Sequence, residues 1–208
     1  MVPQKCKDVR MSAFPDKIVV GVTGGIACGK STVCKIFETL GWDAISADSC
    51  AHFILKEDRN VIKQVVDRFG SQLLGRNGSI DKTELARVIF KSPDDRLWLE
   101  NLLHPKIRLR WMNFVENSKK TKIVVEVPLL FENNLNSLFT KTISVYASKS
   151  IQHSRLLERG IPKYEIESRM EVQMKVTEKA DRADFVILTN GGLNTTTFQI
   201  NHFLTLIT

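Results

Sequence analysis

The sequence predicts an α/β fold in which helices flank a parallel sheet. Short β-branched segments such as 17–22 (KIVVGV) alternate with segments whose apolar residues recur at helical spacing. A glycine-rich loop joins the first predicted strand to the first predicted helix, 30–40. Because parallel strands are connected by crossovers, usually helices, this alternation predicts a parallel sheet with right-handed crossovers.

Each element follows from a local pattern. Helix 30–40 carries apolar residues at i, i+3, i+4 and i+7 from Val33, and Gly41 ends it. A basic, helical stretch covers 150–182, and an amphipathic helix over 194–207 closes the chain. Strand patterns occur at 17–22, 42–47, 122–127, 141–146 and 184–189.

The middle of the chain, 49–118, has helical patterns only. One apolar stripe ends at Gly70, and Asp81 with Glu84 resembles a capping box. Ser92 and the proline after it form a strong helix start, and Pro105 is predicted to break that helix and begin another. We therefore expect an all-helical insertion between strands.

These patterns divide the chain into four parts. The nucleotide-binding core is expected at 17–48, 119–149 and 183–208, the helical acceptor-binding domain at 49–118, a lid at 150–182, and a disordered extension at 1–16, within which Met11 is an alternative start.

Composition limits the class of protein. The 208 residues carry a net charge of +7, with 43% hydrophobic and 25% charged residues, as in an ordinary globular protein. No apolar run approaches the ~20 residues of a membrane span, and the first residues lack the apolar core of a secretory signal. The 4 cysteines form no CxxC pair, so we expect reduced thiols in a cytoplasmic protein and no zinc site.

The loop after the first strand is the strongest functional signal. Gly24, Gly29, Lys30 and Ser31 match G-x-x-x-x-G-K-[ST] between a strand and a helix. Glycines let successive N–H groups point at an anion, Lys30 reaches the β- and γ-phosphates, and Ser31 offers a hydroxyl to Mg²⁺. Thr32, the next hydroxyl, would touch the α-phosphate. This pattern predicts nucleotide binding.

Cys28 lies inside this loop and has two interpretations. A thiol near a helix start and a lysine can have a lowered pKa and be reactive. Alternatively, it is a small side chain that the loop tolerates, which we favour.

A small kinase is the reaction class that these features favour. The chain has no N-K-x-D base-reading motif, as a GTPase switch would, and it is short for a motor ATPase. Asp48 follows the second strand, where it could accept a hydroxyl proton or cap the next helix. Arg155 and Arg159, four residues apart, could clamp the transferring phosphate, or they could belong to a solvated basic face.

Six stretches, in order, resemble the dephospho-CoA kinase family from Ile18 to about Gly191. They are TGGIACGKST, ISADSCAH, LLHPKI around His104, VPLLFE ending at Glu132, QHSRLLERG followed by ESRMEVQ, and ADFVILTNGG. The resemblance implies ATP-dependent phosphorylation of the 3′-hydroxyl of dephospho-CoA by a five-stranded P-loop kinase with a helical acceptor domain and a mobile lid.

Roles follow for the matching positions. The resemblance implies Asp48 as base, Lys30 as phosphate clamp, Ser31 as magnesium ligand, and Arg155 and Arg159 as lid arginines. Asp48 and His104 would also bind the acceptor, although His104 could merely cap a helix junction. The nucleotide-binding positions would be Gly24, Gly25, Ala27, Cys28, Gly29, Lys30, Ser31, Thr32 and Asn190.

Three positions depart from the family pattern. Gly160 stands where an acid or amide usually follows the second lid arginine, and Ser46 replaces the first aspartate of D-A-D. Glu126 stands where some members carry aspartate, and could orient magnesium or pair with a neighbouring lysine.

Three other functions compete with this interpretation: a kinase acting on another small molecule or nucleotide, a nucleic-acid-binding protein, and a P-loop scaffold without turnover. Aromatic residues are only 8% of the chain and the lid contains just Tyr164, so the stacking groups typical of single-strand binding are missing. We expect ATP and Mg²⁺ as cofactors, dephospho-CoA as substrate, no nucleic-acid or membrane partner, and a monomer or weak oligomer.

Overall fold

The structure is a computed structural model that describes residues 13–75, 77–89, 92–171 and 173–207. The predicted extension therefore lies largely outside the described residues. The strands are β1 (Ile18–Gly24), β2 (Asp43–Ser46), β3 (Lys122–Glu126), β4 (Lys141–Tyr146) and β5 (Phe185–Leu188). The helices are α1 (Lys30–Thr39), α2 (Ala47–Glu57), α3 (Arg59–Phe69), α4 (Lys82–Ile89), α5 (Pro93–Asn117), α6 (Lys149–Glu158), α7 (Lys163–Glu171), α8 (Val176–Arg182) and α9 (Leu193–Ile207).

The five strands form one parallel sheet in the order β2-β3-β1-β4-β5. This confirms the predicted fold class and all five predicted strands, with ends that differ by at most two residues. β1 is central, and its register pairs Val22 with Glu126 of β3 and with Ile143 of β4. The order places the carboxyl end of β1, where the glycine loop starts, between the ends of two other strands, as the switch-point rule for ligand sites requires.

The described chain divides into two compact units. One combines the chain up to Ile45 with the chain from Val115 onward, and the other is Ser46–Phe114. In the first unit, α1 and α9 pack on the sheet through an aromatic cluster in which the Phe37 and Trp42 rings lie 5.0 Å apart, edge to face.

The second unit is helical, as the pattern over 49–118 predicts. Its core joins α2, α3, α4 and α5 through residues such as Val61, Val65 and Leu103. Asp81 accepts hydrogen bonds from the N–H groups of Thr83 and Glu84, which confirms that it caps α4. The reciprocal bond of a capping box is not formed, because the N–H of Asp81 donates to the carbonyl of Leu73 and the Glu84 carboxylate accepts from Arg87.

The predicted helix break at Pro105 is wrong. Helix α5 runs through it from Pro93 to Asn117. A proline inside a helix removes one backbone hydrogen bond and costs about 3 kcal/mol. Buried side chains lie on both sides of Pro105, Leu103 before it and Trp111 after it. Their burial offsets the cost of the proline, and a local sequence pattern does not include this burial.

Candidate active site

The glycine loop is shaped by residues that occupy the left-handed region. Gly24 has φ +145° and Gly29 has φ +91°. A side chain at Gly24 would also place its Cβ 2.3 Å from the carbonyl oxygen of Val145. Only glycine fits there, because β4 lies against the loop at its first residue. Ala27 has φ +58°, unusual for a residue with a side chain.

Helix α1 begins immediately after this loop, with Gly29 at the capping position. Glycine has no side chain to offer, and no side chain caps the helix among the described residues. The first N–H groups of the helix therefore stay available, together with the positive end of the helix dipole. This is the arrangement that binds phosphate at a helix start.

Lys30 folds back over the loop. Its Nζ donates hydrogen bonds to the carbonyl oxygens of Gly24, at 3.3 Å, and Gly25, at 3.0 Å. These contacts hold the ammonium group at the loop and leave it half-buried. A cation in this position can pair with the outer phosphates of a bound nucleotide.

Ser31 and Glu126 form an oxygen pair beside the loop. The Ser31 Oγ donates to the Glu126 Oε1 at 3.3 Å, and Glu126, the last residue of β3, is 5% exposed. This contact places the Glu126 carboxylate beside the phosphate loop. Mg²⁺ prefers a small number of protein oxygens and completes its shell with water and phosphate, so a hydroxyl and a carboxylate fit it.

Arg155 and Thr189 tie the loop to the end of β5. The Arg155 guanidinium donates to the carbonyl oxygen of Ala27 at 3.1 Å, to Thr189 Oγ1 at 3.1 Å and to the Thr189 carbonyl at 2.7 Å. Thr189 Oγ1 in turn donates to the carbonyl of Cys28 at 2.7 Å. The carbonyl oxygens of Ala27 and Cys28 are thus both satisfied by side chains from outside the loop.

A cleft of about 190 Å³ opens beside the start of α1. Its walls are Gly29, Thr32, Arg155, Arg159, Thr189, Gly191, Leu193 and Thr196. The end of the loop, the first turn of α1, both predicted lid arginines and the chain after β5 therefore meet at one opening. Asn190 acts on the backbone, because its Oδ1 accepts from the N–H of Ser148 at 2.9 Å and so joins the segments that follow β4 and β5.

The Cys28 thiol is not activated. It is fully buried, and burial raises its pKa although the backbone and Lys30 act in the opposite direction. The reactive-thiol interpretation is wrong because desolvation of the thiolate outweighs the attraction of nearby positive charge. Cys28 fills space under the loop.

Asp48 and His104 belong to the helical unit. Asp48 is exposed in the first turn of α2. The cap of that helix is Ser46, whose hydroxyl accepts from the N–H of Ser49 at 3.0 Å, so the alternative role of Asp48 as N-cap is wrong. His104 lies inside α5, partly exposed, and caps no junction there.

The predicted lid comprises three helices, α6, α7 and α8. Lys149 of α6 lies 3.0 Å from Glu167 of α7, and this lysine holds the pKa of the Glu167 carboxyl below its usual range. Gly160 follows α6 with φ +76°. A glycine adopts this conformation without strain.

Two further groups at the site escaped prediction. Thr189 lies 161 residues from its partner Cys28, and Lys179 of α8 is fully buried in a basic stretch that suggests a solvated face. Neither position has a local pattern that separates it from its neighbours.

The chain is similar to dephospho-CoA kinases along most of its length. The sequence model of that family, described as dephospho-CoA kinase, matches residues 18–195. The dephospho-CoA kinase of Geobacillus kaustophilus is 36% identical over 188 residues, which cover 88% of this chain and 93% of the relative. That of Gloeobacter violaceus is 38% identical over 175 residues, 84% of each chain.

Two solved structures resemble the fold described above. Dephospho-CoA kinase from Campylobacter jejuni superposes with a TM-score of 0.67 at 32% identity, covering 91% of this chain and 96% of the other. The protein TT1252 from Thermus thermophilus superposes with a TM-score of 0.78 at 27% identity, covering 92% and 98%.

Proposed function

Because the chain belongs to the dephospho-CoA kinase family, we propose that it phosphorylates the 3′-hydroxyl of the ribose of dephospho-CoA with ATP. The products are coenzyme A and ADP. The observation that carries the reaction class is the hydrogen bond between Ser31 and Glu126 beside the phosphate loop. A loop that only joined a strand to a helix would need neither a buried carboxylate nor a hydroxyl directed at it.

The loop binds the donor. The N–H groups of the loop and of the first turn of α1 hold the phosphates of ATP, and Lys30 moves from the carbonyls of Gly24 and Gly25 to the β- and γ-phosphates. Ser31 and Glu126 would hold Mg²⁺, directly or through its water, and the ion would neutralise charge on the outer phosphates when bound.

Asp48 receives the proton of the acceptor. The 3′-oxygen attacks the γ-phosphorus as its proton passes to the Asp48 carboxylate, and the bond from the γ-phosphorus to the β–γ bridging oxygen breaks. Two observations support this role: Asp48 is exposed, and Ser46 rather than Asp48 caps α2. His104 is proposed to contact the acceptor.

The arginines have unequal roles. Arg159 is exposed on the cleft, so we assign it to the charge on the transferring group. Arg155 already donates three hydrogen bonds to Ala27 and Thr189 and acts on the loop as well as on the nucleotide. Asn190 supports the cleft through the backbone of Ser148.

The setting of the enzyme follows from its family and substrate. We propose a cytoplasmic protein, monomeric or weakly associated, that takes a small-molecule acceptor and neither nucleic acid nor a membrane. Cys28, Cys34 and Cys50 are free and buried, as a reducing compartment allows. Among the described residues, no helix is long and apolar enough to cross a bilayer.

The experiment is ADP release with ATP and Mg²⁺ in the presence of dephospho-CoA, adenosine or AMP. We expect release that depends on dephospho-CoA, with a product that has the mass of coenzyme A. Release with another acceptor alone would refute the substrate but retain the kinase. ATP binding without any release would favour a scaffold.

Asp48→Asn tests the base in the same assay. We expect ATP binding to persist and turnover to fall by roughly 10²–10⁴-fold. Asp67→Asn, an exposed aspartate in α3, is the matched control and should keep normal turnover. A near-normal rate for Asp48→Asn would remove Asp48 from this role.

A further inference from the structure

A buried ion pair lies next to the phosphate loop and has no role in the chemistry described above. The Nζ of Lys179, in α8, lies 2.8 Å from the Oε1 of Glu132, which lies in the turn that follows β3. The Lys179 side chain is 0% exposed and that of Glu132 is 22% exposed. Lys179 also donates to the carbonyl oxygen of Pro128 at 2.6 Å.

This pair is expensive in free energy. Burial lowers the pKa of Lys179, and the hydrogen bond and charge of Glu132 only counteract that effect. Removing an ammonium and a carboxylate from water costs several kcal/mol each, and apolar residues of similar volume often give equal or greater stability. Stability alone is thus a weak reason for a lysine at this position.

The geometry connects the pair to the start of the phosphate loop. The Pro128 carbonyl that accepts from Lys179 also accepts from the Oγ1 of Thr23, at 3.0 Å. Thr23 directly precedes Gly24, the first glycine of the loop. Pro128 itself comes two residues after Glu126, which accepts from Ser31. One carbonyl oxygen therefore links the two strand ends that carry the loop and the carboxylate.

The same pair also contacts the segment that joins α7 to α8 in the predicted lid. The Glu132 Oε1 accepts from the N–H of Met174 at 3.1 Å, between α7 and α8. The other carboxylate oxygen, Oε2, is buried without a hydrogen-bond partner among the described residues. Two residues after Met174, the Cβ of Val176 lies 3.4 Å from where a Gly25 side chain would begin, so α8 packs directly against the loop.

We propose that Lys179 and Glu132 are positioning residues for phosphoryl transfer, whose ion pair fixes Pro128 against Thr23 and Met174 against the core. The pair thereby fixes the position of the phosphate loop relative to the segment that joins α7 to α8. This proposal rests on the proposed function, because positioning has consequences for turnover only if the chain is a kinase.

The test uses Lys179→Met, Glu132→Gln and the double variant in the full chain. Misplacement of reacting groups by about 1 Å can cost ~10²-fold, so we expect Lys179→Met to lower kcat by roughly tenfold to a hundredfold. KM for ATP should change by less than about threefold, since the loop still forms. The double variant should regain at least about threefold in kcat over Lys179→Met, because no unpaired charge remains buried.

A stability control separates positioning from folding. Ile200→Ala removes buried volume from α9, which contributes no atom to the hydrogen bonds of the pair, and should lower Tm without lowering kcat at temperatures well below Tm. If Lys179→Met retains kcat, the proposal is wrong. It is also wrong if Lys179→Met loses no more kcat than Ile200→Ala when each is assayed equally far below its own Tm. It is equally wrong if both single variants fail to fold while the double variant folds with normal kcat.

A second readout needs no acceptor. Amide hydrogen exchange over 21–31 and 173–178 in the protein alone should become faster in Lys179→Met and Glu132→Gln, but not in Ile200→Ala. If the unmodified chain fails to phosphorylate dephospho-CoA, the proposed function falls, while the exchange data still decide whether the pair orders both segments. Unchanged exchange in a kinase that works normally refutes the positioning role alone.

Discussion

Ser31 and Glu126 lie 95 residues apart in the chain, yet the hydroxyl of one donates to the carboxylate of the other at 3.3 Å. Parallel pairing of β1 with β3 produces this contact, because the register sets Val22 opposite Glu126 and so brings the end of β3 beside the first turn of α1. The pair unites the two side chains that we propose as magnesium ligands.

Glu126→Gln should therefore weaken the binding of Mg²⁺ more than the binding of the nucleotide. Loss of one carboxylate charge is expected to raise the Mg²⁺ concentration for half-maximal ADP release by roughly tenfold or more. ATP affinity measured without Mg²⁺ should change little, because Lys30 and the loop N–H groups remain. Glu126→Asp, which keeps the charge, is the control. Its Mg²⁺ requirement should lie between that of the unmodified chain and that of Glu126→Gln. An unaltered Mg²⁺ requirement in Glu126→Gln would exclude Glu126 from the metal site.

The buried thiols predict how stability depends on pH. Burial raises the pKa of Cys28, so the folded state keeps its proton at a pH where the unfolded chain loses it. The stabilisation is present below the unfolded pKa of about 8.5 and is lost as pH rises toward the folded value. The free energy of unfolding of the unmodified chain should therefore fall between pH 7.5 and 9.5. In Cys28→Ala this fall should be smaller, by up to about 1 kcal/mol.

Urea unfolding at the two pH values measures this difference, and near-wild-type activity of Cys28→Ala would agree with a space-filling role. Cys34→Ala serves as a comparison, since burial raises the pKa of that thiol as well. An equal decline in stability in the unmodified chain and in both variants would contradict the argument.

Lys17 stabilises the junction between α5 and β3. Its Nζ donates to the carbonyl oxygens of Val115, Glu116 and Ser118 at 2.5, 3.0 and 2.8 Å. A cation at the end of a helix satisfies carbonyls that have no partner in the helix and interacts favourably with its dipole. We expect Lys17→Met to lower the free energy of unfolding by about 1–2 kcal/mol.

Chemical denaturation measures that change. Lys122→Met, which alters an exposed lysine at the start of β3, is the control and should stay within about 0.5 kcal/mol of the unmodified chain. If the two variants are equally stable, the three hydrogen bonds contribute nothing measurable.

Local requirements were predictable from the sequence, and distant ones were not. The phosphate loop could be recognised because Gly24, Gly29 and Lys30 each meet a steric or electrostatic need within seven residues. The cap at Asp81 and the helix start at Ser92 are equally local, and the structure confirms both.

The error at Pro105 arose because tertiary packing outweighs a local rule. Pro105 stays helical because both sides of α5 bury apolar side chains. The buried state of Lys179 follows from a partner 47 residues away, which composition cannot reveal.

Thr189 provides the clearest test of a contact that only the fold creates. Its hydroxyl donates to the Cys28 carbonyl at 2.7 Å and accepts from Arg155 at 3.1 Å, so it joins the loop to the end of β5. Thr189→Val keeps the shape but leaves that buried carbonyl without its donor, which costs about 1–3 kcal/mol. We expect part of this cost to appear as a roughly tenfold weaker affinity for ATP. Isothermal titration measures the affinity, and Thr189→Ser, which keeps the hydroxyl, should bind ATP almost normally. Equal binding by the valine and serine variants would mean that the loop holds its conformation without Thr189, leaving the Arg155 contact to Ala27 as its support.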